Sequence, residues 1–517
     1  MNRHPRLART FAVVVGLTVA SLTLSGCLFG PRSAQEPVGR ASATPDTSGV
    51  AEDLRPFYGQ ELTWSPCGDG FDCTRVRSPL DWGDVSKGTI DLSVVRHRAT
   101  GDTVLGSLLT NPGGPGASGI DLIKNSLDFA VGAPLQQSYD VIGFDPRGVG
   151  QSTAVSCFDA TDMDAYLFDI PPGTRGSSEW DTALTSRNAA FAAACEANSG
   201  GILPYITTEY AARDMDLIRA VLGDTSLNYL GYSYGTFLGA TYAKLYPDRV
   251  GRLVLDGAID PSVSQLDVST TQGLGFESAL RAYMASCLSA RDCPFGGTVD
   301  DAMADLGAML ASVDRAPLRN ADGRQLGADS LITSIVAALY SQDSWTYLTS
   351  ALSGVSKGDP SVAFQLADFY YNRSGGTYTD NSTEAFTAYN CMDYPNDTTD
   401  AESDASKALL AQKAPTVAPY WSSSVNVCDS WPYPPTGKRE SITASGAAPI
   451  VVIGTTNDPA TPYEWSVSLA GQLTSGVLVT RVGEGHTGYN KGNSCVDSAV
   501  ESYFLTGTVP ENGLRCE

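Results

Sequence analysis

The amino-acid sequence predicts an α/β fold: a mostly parallel sheet flanked by helices, interrupted by a large and mainly helical insertion. Three observations carry that expectation. Short apolar runs without polar alternation recur along the chain, as strands buried on both faces require. Helical patterns lie between several of them, so strand and helix alternate. The alternation stops between residues 262 and 441, where segments of helical periodicity follow one another without a buried strand, and it resumes at Pro449.

At the N-terminus, Arg3, Arg6 and Arg9 precede the apolar stretch Phe11 to Leu24, which reads as an export signal over residues 1–26. Leu24-Ser25-Gly26-Cys27 resembles a bacterial lipobox, in which a lipid is attached to the thiol of Cys27 and the chain is cut before it. A plain secretory peptide with an incidental cysteine is the alternative. The apolar stretch is shorter than the ~20 residues a membrane-spanning helix needs. Residues 27–55, rich in Ser, Pro, Ala and Gly, suit a flexible tether. The sheet domain then occupies 56–261 and 442–517, with a helical cap at 262–441 between its two parts. A separate C-terminal domain is the other reading, but two strands after Pro449 are too few to fold alone.

Within the sheet domain, Thr89–Val95 alternates Ile90, Leu92 and Val94 with polar residues and suits a half-exposed antiparallel strand. Leu105–Thr110, Asp140–Phe144, Leu227–Leu230, Leu253–Leu255, Ile450–Ile453 and Val477–Val482 are the buried runs. Met215, Ile218 and Leu222 share one helical face, as do Trp465, Leu469 and Leu473. Ala302–Val313 and Ser330–Tyr340 are the helical segments of the cap.

The net charge of −23 becomes −26 once residues 1–26 leave, because they hold three arginines and no acid. Such a surface repels phosphate backbones, which argues against nucleic acid as a partner. Of 11 cysteines, ten remain beside Cys27, an even number in an exported chain that fits five disulfides. Pairing sequence neighbours gives Cys67–Cys73, Cys157–Cys195, Cys287–Cys293, Cys391–Cys428 and Cys495–Cys516, one of the connectivities ten cysteines allow. Zinc is the rival use, but no CxxC pair exists and only two histidines remain in the mature chain. No metal and no cofactor is expected.

Gly231-Tyr232-Ser233-Tyr234-Gly235 fits G-x-S-x-G, a serine on a sharp strand-to-helix turn. The pattern alone is weak, and its context is what counts. It follows Leu227–Leu230 and opens a helix-like stretch that stops at Pro247. A serine hydroxyl needs a base. Of the three histidines, His4 leaves with the signal and His97 lies on the early edge strand. His486 remains, just beyond the last predicted strand, in the chain order serine, acid, histidine. Asp458, on the loop after Ile450–Ile453, is the preferred acid to orient that histidine. Asp256 and Glu484 are its rivals. Two backbone N–H groups must face the developing oxyanion. Tyr234, after the serine, supplies one, and the loop Asn111-Pro112-Gly113-Gly114-Pro115-Gly116 supplies the other, from Gly114, because Pro115 has no N–H. A phosphate-binding loop is the alternative for these glycines, but no Walker lysine follows.

Pro112–Gly116, the run Phe144-Asp145-Pro146-Arg147-Gly148-Val149-Gly150-Gln151-Ser152, the elbow, Asp458-Pro459-Ala460-Thr461-Pro462 and Gly485-His486-Thr487 together resemble the prolyl and tripeptidyl aminopeptidase branch of the α/β-hydrolases. The chain is most similar to exported actinobacterial members, including mycobacterial lipoproteins labelled carboxylesterase A, from about residue 60 to the C-terminus. The resemblance implies a serine peptidase that releases short N-terminal peptides through an acyl-enzyme on Ser233, held to the outer face of the cell membrane or released from it. A carboxylesterase acting on small esters is the alternative, and a non-catalytic binding lipoprotein the reading from another class. Pro112 stands where prolyl iminopeptidases carry a histidine, which points away from strict proline specificity. An aminopeptidase must meet a protonated amine with a carboxylate, since an unpaired buried ammonium is costly. Asp393, beside Cys391, is the first candidate and Glu384 the second. A monomer is expected.

Overall fold

The computed structural model describes residues 44–395, 397–421 and 425–517. The expected signal, Cys27 and the tether as far as residue 43 lie outside the described residues. One sheet of ten strands organises the rest. In chain order these are β1 (Ser65–Pro66), β2 (Phe71–Pro79), β3 (Thr89–His97), β4 (Ser107–Asn111), β5 (Asp140–Phe144), β6 (Leu227–Tyr232), β7 (Val250–Asp256), β8 (Ile450–Asn457), β9 (Gly476–Glu484) and β10 (Leu514–Cys516). They lie side by side as β1-β2-β3-β5-β4-β6-β7-β8-β9-β10. The pairings of β1 through β3 and of β3 with β5 are antiparallel, and all others are parallel. The α/β-hydrolase fold follows from this order.

Successive strand residues face opposite sides, and here both sides are apolar. Leu109, Ile142, Tyr229, Leu253, Leu255 and Val452 join one core, while Leu108, Val141, Leu230, Val254 and Val451 join another across the sheet. That double burial is why the central strands read as unbroken apolar runs. Helices α2 (Thr208–Val221), α3 (Tyr234–Leu245) and α7 (Tyr463–Gln472) cover the first face, and α1 (Gly119–Ala130) and α8 (Ser494–Thr506) the second.

The chain leaves the sheet after β7 and returns at β8. Between them stand α4 (Gln265–Cys287), α5 (Ala328–Leu339), α6 (Ser382–Asp393) and further helices such as Val299–Arg315 and Ser361–Tyr370, with two short hairpins. Most of this insert packs on a third core, with Leu280, Leu306, Leu331, Leu352 and Phe364 at its centre. Five disulfides join the neighbouring cysteine pairs, and Cys391–Cys428 ties α6 to the strand-ward end of the insert.

Two expectations need correction. The tether is expected as far as residue 55, but Asp46 is already part of the globule, its carboxylate meeting Arg219 at 3.0 Å and Arg249 at 2.9 Å. The antiparallel strand Phe71–Pro79 was missed, because Cys73, Arg75 and Arg77 break its apolar signal while Val76 and Ser78 are buried. No helix of the described residues is long and apolar enough to cross a membrane.

Candidate active site

Ser233 sits between β6 and α3 with φ 55° and ψ −123°, a conformation that costs a non-glycine residue ~1–3 kcal/mol. Its surroundings hold it there. Its N–H donates to the Asp256 carbonyl at 2.9 Å, and its own carbonyl accepts the Thr236 N–H at 2.8 Å and the Thr236 hydroxyl at 2.6 Å. A Cβ on Gly231 would lie 2.5 Å from the Gly235 carbonyl oxygen, so the turn closes only with glycine there. One on Gly113 would lie 2.8 Å from Ser233 Cβ, which puts the loop after β4 in contact with the serine.

Asp458 follows β8 and His486 follows β9. The imidazole Nδ1 is 2.9 and 3.0 Å from the two oxygens of Asp458. The carboxylate also accepts the N–H groups of Ala460 and Thr461, both at 2.9 Å, the Thr461 hydroxyl at 2.9 Å and the Thr487 N–H at 3.1 Å. Thr461 Oγ1 stands 3.2 Å from Nδ1 as well, so it touches both partners of the pair. The opposite nitrogen, Nε2, is buried without a hydrogen-bond partner among the described residues. Gly257 packs beneath the ring, its missing Cβ position 3.1 Å from His486 Cε1. Since the Asp256 carbonyl one residue earlier holds the Ser233 amide, serine and imidazole flank one dipeptide. The two rival acids are engaged elsewhere: Asp256 on Gly488 and Tyr489, Glu484 on the Asn457 amide.

The Gly113 N–H donates to Asn111 Oδ1 at 3.0 Å. Those of Gly114 and Tyr234 meet no acceptor among the described residues, and Tyr234 opens α3, where the helix dipole leaves partial positive charge. A serine hydroxyl, a carboxylate-held imidazole and two open amides are the groups with which a carbonyl can be attacked and its oxyanion stabilised.

Comparison with known proteins agrees with this chemistry. Serine protease Hip1 of Mycobacterium tuberculosis is 34% identical over 100% of this chain and 99% of its own length. Carboxylesterase B of the same organism is 36% identical over 97% of this chain and 98% of its own. Tripeptidyl aminopeptidase of Streptomyces lividans is 30% identical over 88% and 86%. The family described as TAP-like protein matches residues 414–516. The chain belongs to the tripeptidyl-aminopeptidase branch of the α/β-hydrolases. It is a serine hydrolase, a peptidase in line with the relatives named serine protease and tripeptidyl aminopeptidase, with carboxylesterase as the alternative that the second relative carries.

Of the two carboxylates expected to meet a substrate amine in this serine hydrolase, Asp393 is already occupied. It accepts the Thr208 N–H at 2.9 Å and the Thr208 hydroxyl at 2.6 Å at the start of α2. It is wholly enclosed, and burial pushes its carboxyl up to about 6. The first choice is therefore corrected: Asp393 secures a helix terminus and, through Thr208, the Tyr234 hydroxyl at 2.5 Å. Glu384 differs. It lies on α6, 8% exposed, bonded among the described residues only to its own N–H, and burial together with nearby Asp380 pushes it up to about 7. The turn carrying it rests on the oxyanion loop, since a Cβ on Gly116 would meet the Ser382 carbonyl oxygen at 2.7 Å and the Phe386 nitrogen at 2.9 Å.

The insert also grips the acid and base loops. Gln272 on α4 donates to the Ala460 carbonyl at 2.7 Å, Ser278 donates to Asn457 Oδ1 at 2.8 Å, and Gly275 lies so near Pro459 that a Cβ would be 2.7 Å from its carbonyl oxygen. Tyr340, capping α5, accepts the His486 N–H at 2.8 Å and sets its ring edge-on to the imidazole at 5.2 Å. Asn111, Thr461 and Tyr340 were not legible as site residues. Thr461, three residues after Asp458 in a Pro-rich turn, carried the one usable signal, a hydroxyl placed to bond back to its own aspartate.

Proposed function

We propose that Ser233, His486 and Asp458 form the catalytic triad of a peptidase that removes short N-terminal peptides, most simply di- or tripeptides, from chains with a free amine. Ser233 Oγ attacks the scissile carbonyl carbon while His486 Nε2 takes its proton, and Asp458 steadies the imidazolium through Nδ1–H. Gly114 and Tyr234 N–H groups receive the oxyanion. The imidazolium returns the proton to the departing amine, the C–N bond breaks, and water activated by the same imidazole releases the peptide from Ser233.

The observation that carries the exopeptidase reading is Glu384: a carboxylate 8% exposed, without an ion-pair partner among the described residues, on the helix turn against the loop that bears Gly114. A substrate ammonium entering there supplies the missing partner, and the helical insert at 262–441 acts as the cap that admits a chain end and excludes a chain middle. The esterase reading rests on the carboxylesterase relative and on chemistry, because an ester leaves more readily than an amide from the same triad. Export and lipid attachment at Cys27 complete the proposal, with the peptide or small ester substrate outside the cell and a monomer as the working unit.

Matched peptides with free and acetylated N-termini test it. The free forms should be cleaved with the higher kcat/KM, and Glu384→Gln should raise KM for them ~10-fold or more, the loss of one charged partner, while sparing p-nitrophenyl acetate. Equal cleavage of both peptide forms removes the exopeptidase reading and leaves the esterase one.

A further inference from the structure

Asp256 ends β7 near the middle of the sheet and is fully buried. Its backbone carbonyl accepts the Ser233 N–H at 2.9 Å. Its carboxylate reaches the histidine loop, accepting the Gly488 N–H at 2.8 and 3.0 Å and the Tyr489 N–H at 2.8 Å. Asp458 grips the same loop two residues earlier, at the His486 ring and the Thr487 amide. The base loop is thus pinned by two carboxylates, and only Asp256 also holds the serine.

We propose that Asp256 is a positioning residue for the reaction, a strut whose carbonyl fixes the serine turn and whose ionised carboxylate fixes the loop that carries the histidine. The proposal rests on the reading of Ser233 as nucleophile and His486 as base. Its physical basis is donor count. Two backbone N–H groups converge on this side chain, and only acceptor oxygens satisfy both; a protonated acid or an amide turns a donor toward one of them.

The groups facing Asp256 are few. Tyr232 is its register partner on β6 and Ile453 on β8, while Lys491 and His486 are the charges that favour its ionised form. Burial outweighs them and pushes the carboxyl up to about 6. As pH falls through that value the strut gains a proton, loses an acceptor and loosens the loop. The acid limb of the rate profile then carries a proton besides the one taken up by the base.

The test uses the full-length enzyme and p-nitrophenyl acetate, an ester without an amine, so Glu384 stays out of the profile. Asp256→Asn should remain folded by thermal melt, keep KM within about twofold and lose kcat by ~10–100-fold, the cost of a misplaced catalytic group. Below pH 6 the logarithm of kcat/KM should fall with a slope steeper than one in the parent and with a slope of one in the variant. A folded variant with kcat within twofold of the parent overturns the proposal. If the variant does not fold, the parent's profile decides, and a slope of one overturns it. A ~10⁴-fold loss in Asp256→Asn beside a mild Asp458→Asn also overturns it and points instead to Asp256 as the triad acid.

Discussion

Ser233 and the Asp458–His486 pair stand at the C-terminal ends of parallel strands of the sheet, yet different parts of the molecule hold them. The serine turn is secured within the sheet domain, by the Asp256 carbonyl, by Thr236 and by the close approach of Gly231 to Gly235. The acid and base loops are secured from two sides. Asp256 holds the base loop from below, and Gln272, Ser278, Gly275 and Tyr340 of the insert reach both loops from above. Ala460, two residues after the acid, even belongs to the apolar core of the insert. The serine turn is therefore set by local geometry, whereas the loops of Asp458 and His486 are also held by the insert.

The largest effects test the triad itself. Ser233→Ala and His486→Ala should each lower kcat by ~10⁵–10⁶-fold with an unchanged melting temperature. Asp458→Asn should lower it by ~10⁴-fold, because the amide favours the wrong imidazole tautomer. Next comes the contact between insert and acid loop. Gly275→Val places carbon against the Pro459 carbonyl and should lower kcat by ~10–100-fold. Hydrogen exchange should then quicken at 457–461 and 485–489 and stay unchanged at 231–236. Faster exchange at the serine turn would break the comparison.

Glu384 gives a smaller and pH-dependent effect. Its carboxyl, ordinarily at 4.5, is pushed up to about 7 by burial, so the folded chain holds this proton more tightly than the unfolded one. The group favours folding at low pH, and that contribution is lost as pH rises from 4.5 to about 7. Glu384→Gln should thus be more stable than the parent at pH 8, by about 1–3 kcal/mol, and no more stable at pH 4. Cleavage of free-amine peptides by the parent should rise through pH 7 as the carboxylate ionises, and this rise should be absent in the variant. The smallest effect lies far from the site. Asp46→Asn weakens the hold on Arg219, whose side chain is 2% exposed, and should cost about 1–2 kcal/mol by denaturant melt while leaving kcat unchanged.

Much of the architecture was legible because burial on both faces leaves a simple mark. Asp140–Phe144 matches its strand at both ends, and Leu227–Leu230 and Ile450–Ile453 fall short by only a few residues at their C-termini. Those missing residues, Gly231-Tyr232 and Gly454 to Asn457, include glycine, threonine and asparagine, which end the apolar run as the strands approach the site. The β2 strand escaped notice because its outward arginines hide the pattern, and β10 because three residues carry none.

The sequence by itself determined the elbow, the order of serine, acid and histidine and the α/β class, since each depends on contacts short in sequence or on repeated burial, while the pairing of the cysteines was one connectivity among those that ten allow. Only the tertiary structure decided which of three acids meets His486, and it showed Asp393 already engaged by Thr208. Such choices turn on hydrogen-bond partners brought together from far along the chain: Thr208 reaches Asp393 across 185 residues, and Gly488 reaches Asp256 across 232. A carboxylate's role is fixed by which donors have already claimed it, and those donors come together only in the folded chain.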